Sequence, residues 1–226
     1  MELIYKGKTK DVYKNSKGQV VLKFKDDVTG VDGKFDPGAN QVGLSIEGVG
    51  AKNLKMTTYF FEKVKEAGIS SHYITSDLKE NTLTVKPATA FGKGVEVITR
   101  YRAVGSFIRR YGAYIESGTP LAGYVEFTLK DDKRQDPLVT KEGLIALGIL
   151  TEEEYDTVVK LNLQVANLIK KELAAKGLEL YDLKLEFGKV EGSDEIVLID
   201  EISGGNMRVY KDQDYIDPMV LADYFG

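Results

Sequence analysis

The sequence predicts an α+β fold in two mixed lobes, on three observations. Short segments of period-two hydrophobicity crowd the start of the chain, two long stretches of helical period separate further strand segments, and the last third carries two apolar strands joined by VEGSD. At 226 residues, 42% hydrophobic and 29% charged, the chain can bury one large core or two small ones. The break is placed near Pro87 to Gly94, which gives lobes of residues 1–90 and 91–226.

Leu3 to Tyr5, Asp11 to Tyr13 and the run VVLKF at Val20 to Phe24 read as an antiparallel meander, with Asn15, Ser16 and Gly18 in a turn. Asp26 to Gly50 is glycine-rich and shows neither period, so it reads as a binding loop or a flexible lid. Lys52 to Ala67 places Leu54, Phe60, Phe61, Val64 and Ala67 on one helical face, and Gly68 supplies a left-handed stop. Strands are expected at His72 to Thr75, Thr82 to Lys86 and Val95 to Arg102. A short helix SFIRRYG then follows Gly105, and Val125, Phe127 and Leu129 share one face of another strand that ends in the charged turn KDDKRQDP. Thr151 with Glu154 is a capping box for a long amphipathic helix closed by Gly177. LELYDLKLEFG and EIVLIDEIS form a hairpin.

Composition removes several chemistries. With no cysteine and one histidine, disulfides, thiolate zinc sites, a cysteine nucleophile, a multi-histidine metal site and a Ser-His-Asp triad are set aside. His72 reads as structural. The N-terminus has no signal-peptide core and no stretch approaches about 18 apolar residues, so the expectation is a cytoplasmic protein without a membrane partner. A net charge of −4 argues against nucleic acid as a partner. That charge is uneven: nine acidic residues face two basic ones from Glu191 onward, and Arg100 to Arg110 carries four arginines and no acid.

Three constellations could carry chemistry. Strand alternation puts Leu183, Leu185 and Phe187 on one face of the hairpin and Asp182, Lys184 and Glu186 on the other. With the turn centred near Gly192, Asp200 comes within about a residue of the position opposite Glu186. Two carboxylates so close repel unless a cation or a proton sits between them, and Mg²⁺ suits a pair of hard oxygen donors. A solvated strand face neutralised by Lys184 reads the same. Second, Lys8 and Lys10 of KGKTK project to one face if extended and could lie along a polyphosphate; the GxxxxGK[ST] loop is absent, and a plain basic N-terminus is the alternative. Third, in TRYRAVGSFIRRYG a guanidinium from Arg100, the Ser106 hydroxyl and free helix N–H groups could converge on one anion, or the helix could simply be basic on its outer side.

YKGKTKDVY, VITRYRAVGSFIRR, DDKRQDPLV, LYDLKLEFG and LIDEIS occur in the order found in phosphoribosylaminoimidazole-succinocarboxamide synthases, so the chain resembles the SAICAR synthetase family over its whole length. The resemblance implies a two-lobed α+β fold related to ATP-grasp enzymes and protein kinases, with ATP between the lobes. It implies a ligase of purine synthesis that joins the carboxylate of 5-amino-4-carboxyimidazole ribonucleotide (CAIR) to L-aspartate with ATP and Mg²⁺, through an acyl phosphate. By the same resemblance Lys8 and Lys10 contact ATP phosphates, Asp182 and Lys184 line the nucleotide site as the candidate catalytic pair, and Glu186 and Asp200 hold Mg²⁺. Arg100, Ser106 and Arg208 grip the ribonucleotide 5′-phosphate. A homodimer is the assembly entertained.

The chain departs from the family where SPD is usual after the DE-hydrophobic motif. It reads DEISGGNMR, with Gly204 and Gly205 at the proline and aspartate, and Asn206 is expected to replace some of the lost hydrogen bonding. It also stops at Gly226, where many members continue. Three alternatives therefore stand beside the ligase: a relative joining a different acid or amine, a small-molecule kinase, and a nucleotide-binding regulatory module.

Overall fold

The computed structural model describes residues 1–31, 34–35 and 42–225. The meander forms as β1 (Glu2–Lys6), β2 (Lys10–Lys14) and β3 (Val20–Phe24). Next come β4 (Asp27–Val31), β5 (Lys34–Phe35) and β6 (Val42–Ser45), which pair with one another as a small separate sheet. This corrects the expected loop. Asp27 faces Ser45 and Val28 faces Leu44 in an antiparallel ladder, which glycine-rich composition hid because it offers no alternating apolar face. The tip of the expected lid, residues 36–41, lies outside the described residues.

Helix α1 (Val49–Glu66) starts three residues before the expected position. The Asp26 carboxylate accepts hydrogen bonds from the N–H groups of Gly48 and Gly50, capping the helix from a distant residue that the local pattern cannot show. β7 (Tyr73–Asp77) and β8 (Thr82–Val85) complete a five-stranded sheet ordered β1-β2-β3-β8-β7.

The chain then enters a second, eight-stranded sheet through β9 (Ala88–Ala90), a strand the sequence did not announce, and β10 (Val95–Arg102). Helix α2 (Ser106–Tyr111), β11 (Pro120–Leu129), β12 (Leu138–Val139) and α3 (Lys141–Ala146) lead to α4 (Glu152–Ala174), whose Thr151–Glu154 capping box is present. The hairpin is β13 (Glu179–Val190) with β14 (Ile196–Ile199). β15 (Met207–Lys211), β16 (Asp214–Tyr215) and α5 (Pro218–Leu221) end the chain.

Two registers position the site. Val97 lies opposite Leu185 and Thr99 opposite Leu183, and this apolar side of β10 and β13 packs on α4. The intervening residues make a polar side on which Glu96 pairs with Glu186, Ile98 with Lys184, and Arg100 with Asp182, which in turn faces Arg208 on β15. The long β13 strand therefore carries Asp182, Lys184 and Glu186 on one surface. Buried apolar residues of both sheets and of the helices, among them Leu22, Phe60, Leu83, Leu183 and Phe187, form one continuous core. No helix among the described residues is long and apolar enough to cross a membrane.

Candidate active site

A cleft of about 430 Å³ lies between the sheets, lined from the first by Lys8, Lys10 and Leu22 and from the second by Glu96, Lys184 and Glu186. Lys8 lies inside a tight turn that Lys10 closes, so the segment is not the extended one on which a shared face depended: Gly7 N–H donates to the Lys10 carbonyl at 2.9 Å. A Cβ at position 7 would collide with that carbonyl, which explains the glycine. Both lysines still reach the cleft.

Four lysine–carboxylate pairs fill it. Lys8 pairs with Asp132, Lys10 with Asp200 at 3.0 Å, Lys130 with Glu186 at 2.6 Å, and Lys184 with Glu96 at 2.7 Å. Lys10 also donates to Glu201 at 2.7 Å. Burial works against the charge of Lys10, but Asp200 and Glu201 outweigh it and raise its pKa. Burial likewise opposes ionisation of Asp200, yet Lys10 and Lys130 prevail and hold its carboxyl down at about 2. Glu186 moves the other way, pushed up by burial and then by the Asp200 charge, against the pull of Lys130. One carboxylate of the pair is thus firmly ionised and the other is under electrostatic pressure.

Asp200 reaches the cleft by an unexpected route. Glu186 lies opposite Ile199, one residue from Asp200, as the spacing anticipated. Regular alternation past Leu198, which faces Phe187, would carry Asp200 into the core. Instead the strand ends and Asp200 takes a left-handed φ of 64°.

Beyond the cleft, Arg100, Ser106 and Arg208 converge around Asp182. Arg100 is 1% exposed, and all five of its N–H groups have acceptors: two bonds to Glu126 Oε1 at 2.9 and 2.7 Å, and one each to Asp182, Val104 O and Ser106 Oγ. With its donors so engaged, Arg100 forms a buried hub that holds Ser106 and Asp182 in place. Arg208 donates to Asp182 at 2.8 Å, and Gly105, at φ 58°, lets it approach: a Cβ there would lie 2.7 Å from Arg208 Nη1. Asp182 was expected beside the nucleotide. It is 4% exposed and fixed between two arginines instead, because its row on the sheet is Arg100–Asp182–Arg208, two residues along β13 from Lys184.

A family model described as SAICAR synthetase matches residues 3–220. The chain is 57% identical over 221 residues to the phosphoribosylaminoimidazole-succinocarboxamide synthase of Clostridium tetani, covering 98% of this chain and 97% of that protein. Among solved structures it is similar to the synthase of Ehrlichia chaffeensis (TM-score 0.85, 28% identity, covering 96% of this chain and 89% of that one). It is also similar to a SAICAR synthetase in complex with ADP (TM-score 0.83, 30% identity, covering 98% and 91%). The chain belongs to the SAICAR synthetase family.

In this SAICAR synthetase fold several cleft residues had been passed over in the sequence. Lys130 and Asp132 sit in the charged turn KDDKRQDP, and Glu96 alternates with Val95 and Val97 on β10. Arg110, on the helix that could have been simply basic on its outer side, donates to Glu126 at 2.6 Å. At Gly204 the departure has a local reason: a Cβ there would lie 2.8 Å from Pro218 Cβ. Asn206 lines the cleft, and its amide also braces the loop, accepting from Ser203 N–H and donating to the Glu201 carbonyl.

The expected Mg²⁺ finds two carboxylates, Glu186 and Asp200, at the cleft wall. Among the described residues no cluster of three or more His, Cys, Asp or Glu side chains forms a metal cage. Two hard oxygen donors fit an ion that completes its octahedron with water and phosphate oxygens, and the raised Glu186 carboxyl marks where positive charge is wanted.

Proposed function

We infer that the chain is an ATP-dependent carbon–nitrogen ligase that condenses CAIR with L-aspartate to give SAICAR, ADP and phosphate in de novo purine biosynthesis. The observation that carries the assignment of sites is the set of lysine–carboxylate pairs in the cleft. A triphosphate is polyanionic, so it competes with the carboxylates for the lysines. Lys8, Lys10, Lys130 and Lys184 turn to phosphate oxygens, and Glu186 and Asp200, released by Lys130 and Lys10, are left with unbalanced charge that would hold Mg²⁺. The ion, when bound, supplies charge neutralisation between phosphate oxygens. A relative solved with ADP supports the nucleotide reading.

A carboxylate is a poor acyl donor because its leaving group is an oxide. Attack of the CAIR carboxylate oxygen on the γ-phosphorus, with ADP leaving, converts that oxygen into phosphate. The aspartate amine then attacks the acyl carbon and phosphate departs with the bonding pair, the amine proton passing to a base. The protein's part is to position the groups and offset charge. Ser106 and Arg208 face the ribonucleotide 5′-phosphate, with Arg100 and Asp182 fixing their geometry from behind.

Incubation with CAIR, aspartate and ATP tests the reading: succinocarboxamide, ADP and inorganic phosphate are expected in equal amounts. ADP binding without product, or phosphate retained on the product, would defeat it.

A further inference from the structure

Glu126 is buried, does not line the cleft, and takes no part in the chemistry described above. On the sheet it lies opposite Ile98, one diagonal step from Arg100; Arg100 faces Asp182, and Asp182 faces Arg208. Four strands thus carry a row of alternating charge, and Arg110 of α2 extends it at the Glu126 end. Glu126 Oε1 accepts from Arg100 Nε at 2.9 Å, from Arg100 Nη2 at 2.7 Å and from Arg110 Nη2 at 2.6 Å. Its Oε2 accepts from the same Arg110 nitrogen at 2.7 Å.

Stability alone does not account for so much buried charge, since well-packed apolar side chains in place of a buried ion network are often neutral or stabilising. The placement of α2 does account for it. The helix has six residues, too few to hold its shape unaided in water, and Phe107 is its single buried residue. Polar tethers fix it at both ends: Arg100 Nη2 donates to Ser106 Oγ at 2.8 Å in the first turn, and Arg110 grips Glu126 from the last. Both tethers run back to one carboxylate. The Arg208 guanidinium abuts Gly105, the residue before Ser106. Three guanidiniums against two carboxylates leave an excess of positive charge in the row, the sign that a phosphate ester requires.

We propose that Glu126 is a positioning residue for the ribonucleotide 5′-phosphate: its carboxylate holds Arg100 on its strand and Arg110 on α2, and so keeps the Ser106 hydroxyl beside the Arg208 guanidinium. Without that carboxylate the two arginines part, and α2 is left to pivot on Phe107. The proposal rests on the reading of Ser106 and Arg208 as the phosphate contacts. Binding groups must be held within about 0.5 Å of their productive geometry, so a small pivot is enough to weaken the grip on phosphate.

The test is calorimetric binding, in the full-length protein, of CAIR, of its 5′-dephosphorylated nucleoside and of ADP. For Glu126→Gln, which keeps the volume and removes the charge, the Kd of CAIR is expected to rise by about tenfold or more, while those of the nucleoside and of ADP stay within about twofold. Arg110→Met, at the half-exposed end of the row, cuts only the α2 tether and should raise the CAIR Kd about threefold or more; it serves as the test if Glu126→Gln does not fold. In a Ser106→Ala background the Glu126→Gln change should add less than about twofold, because its effect runs through Ser106. An unchanged CAIR Kd in the folded variant, equal weakening of CAIR and nucleoside, or the same loss with and without Ser106 would each overturn the positioning role. Equal affinity of the wild type for CAIR and its nucleoside would fail at an earlier point, by removing the phosphate site itself.

Discussion

Replacing Lys10 by methionine removes a cation that touches both Asp200 and Glu201, at 3.0 and 2.7 Å. Lys10 is 10% exposed and Glu201 11%, so both are shielded from water, while Asp200 is 31% exposed and its share is partly screened. At 3.0 Å and an effective dielectric of about 20 the gross attraction of one such pair is about 5 kcal/mol, much of it offset by the desolvation of the ammonium. The variant loses the attraction yet leaves the carboxylates in place, and cutting one partner from a buried pair typically costs about 3–5 kcal/mol. That loss is expected in urea unfolding at pH 8. Asp200 adds a pH signature: its folded pKa of about 2 lies below the ordinary 3.8, so its stabilisation is present above pH 3.8 and lost as pH falls toward 2. It amounts to about 2 kcal/mol, and Lys10→Met should flatten that acid limb. A loss below about 1 kcal/mol at pH 8, or an unchanged acid limb, would refute the account of the cleft as a set of mutually dependent charges.

Arg100→Met should cost about 3–5 kcal/mol in the same assay, because Glu126 and Asp182 stay buried beside it; Arg100→Lys should recover only part, having three donors where five are used. His72 has a folded pKa of about 4, set by burial, against 6.5 unfolded, so folding stability is complete above pH 6.5 and falls by up to about 3 kcal/mol as pH drops toward 4. Glu186, with a raised pKa, contributes in the opposite sense, so the difference between wild type and His72→Phe isolates the imidazole; parallel stability curves from pH 7 to 4.5 would contradict it. Gly204→Ala should lower stability by about 1–3 kcal/mol through the contact with Pro218, measured by thermal unfolding.

Much of the fold was legible because its signals are local. The Thr151–Glu154 box, the Gly68 stop and the alternation of Val95 to Arg102 each need only a few neighbouring residues to be read, and each appears where expected. The misses are features set at a distance. Strands β4 and β6 exist through each other, α1 begins where Asp26 caps it, and β9 is a strand only because β13 offers an edge. The same division runs through the site. Lys8, Lys10, Lys184 and Glu186 could be picked out as charges on a shared face, whereas Glu96 and Lys130 acquire meaning only from the residues they meet across the sheet. Arg100 was found for its charge and misjudged for its depth, since nothing near it in the chain shows that Glu126 would enclose it.

Asp200 is where local and distant information part most sharply. Spacing from Gly192 brought it next to Glu186, and the ladder agrees, but the alternation behind that expectation would have pointed its side chain the wrong way. A left-handed conformation in a non-glycine residue is uncommon and carries a backbone cost, although aspartate tolerates it better than most. Such a turn persists only if its surroundings hold it. Here they do so from three directions: Lys10 on the carboxylate, the His72 N–H donating at 2.9 Å to the Leu198 carbonyl two residues back, and Thr57 donating at 3.2 Å to the Ile202 carbonyl two residues on. All three come from the part of the chain before Pro87, whereas Asp200 follows a strand of the second sheet. The geometry of the proposed cation site is thus a property of how the two sheets meet, and displacing either one should disturb Asp200 before it disturbs Glu186, which regular strand pairing already secures.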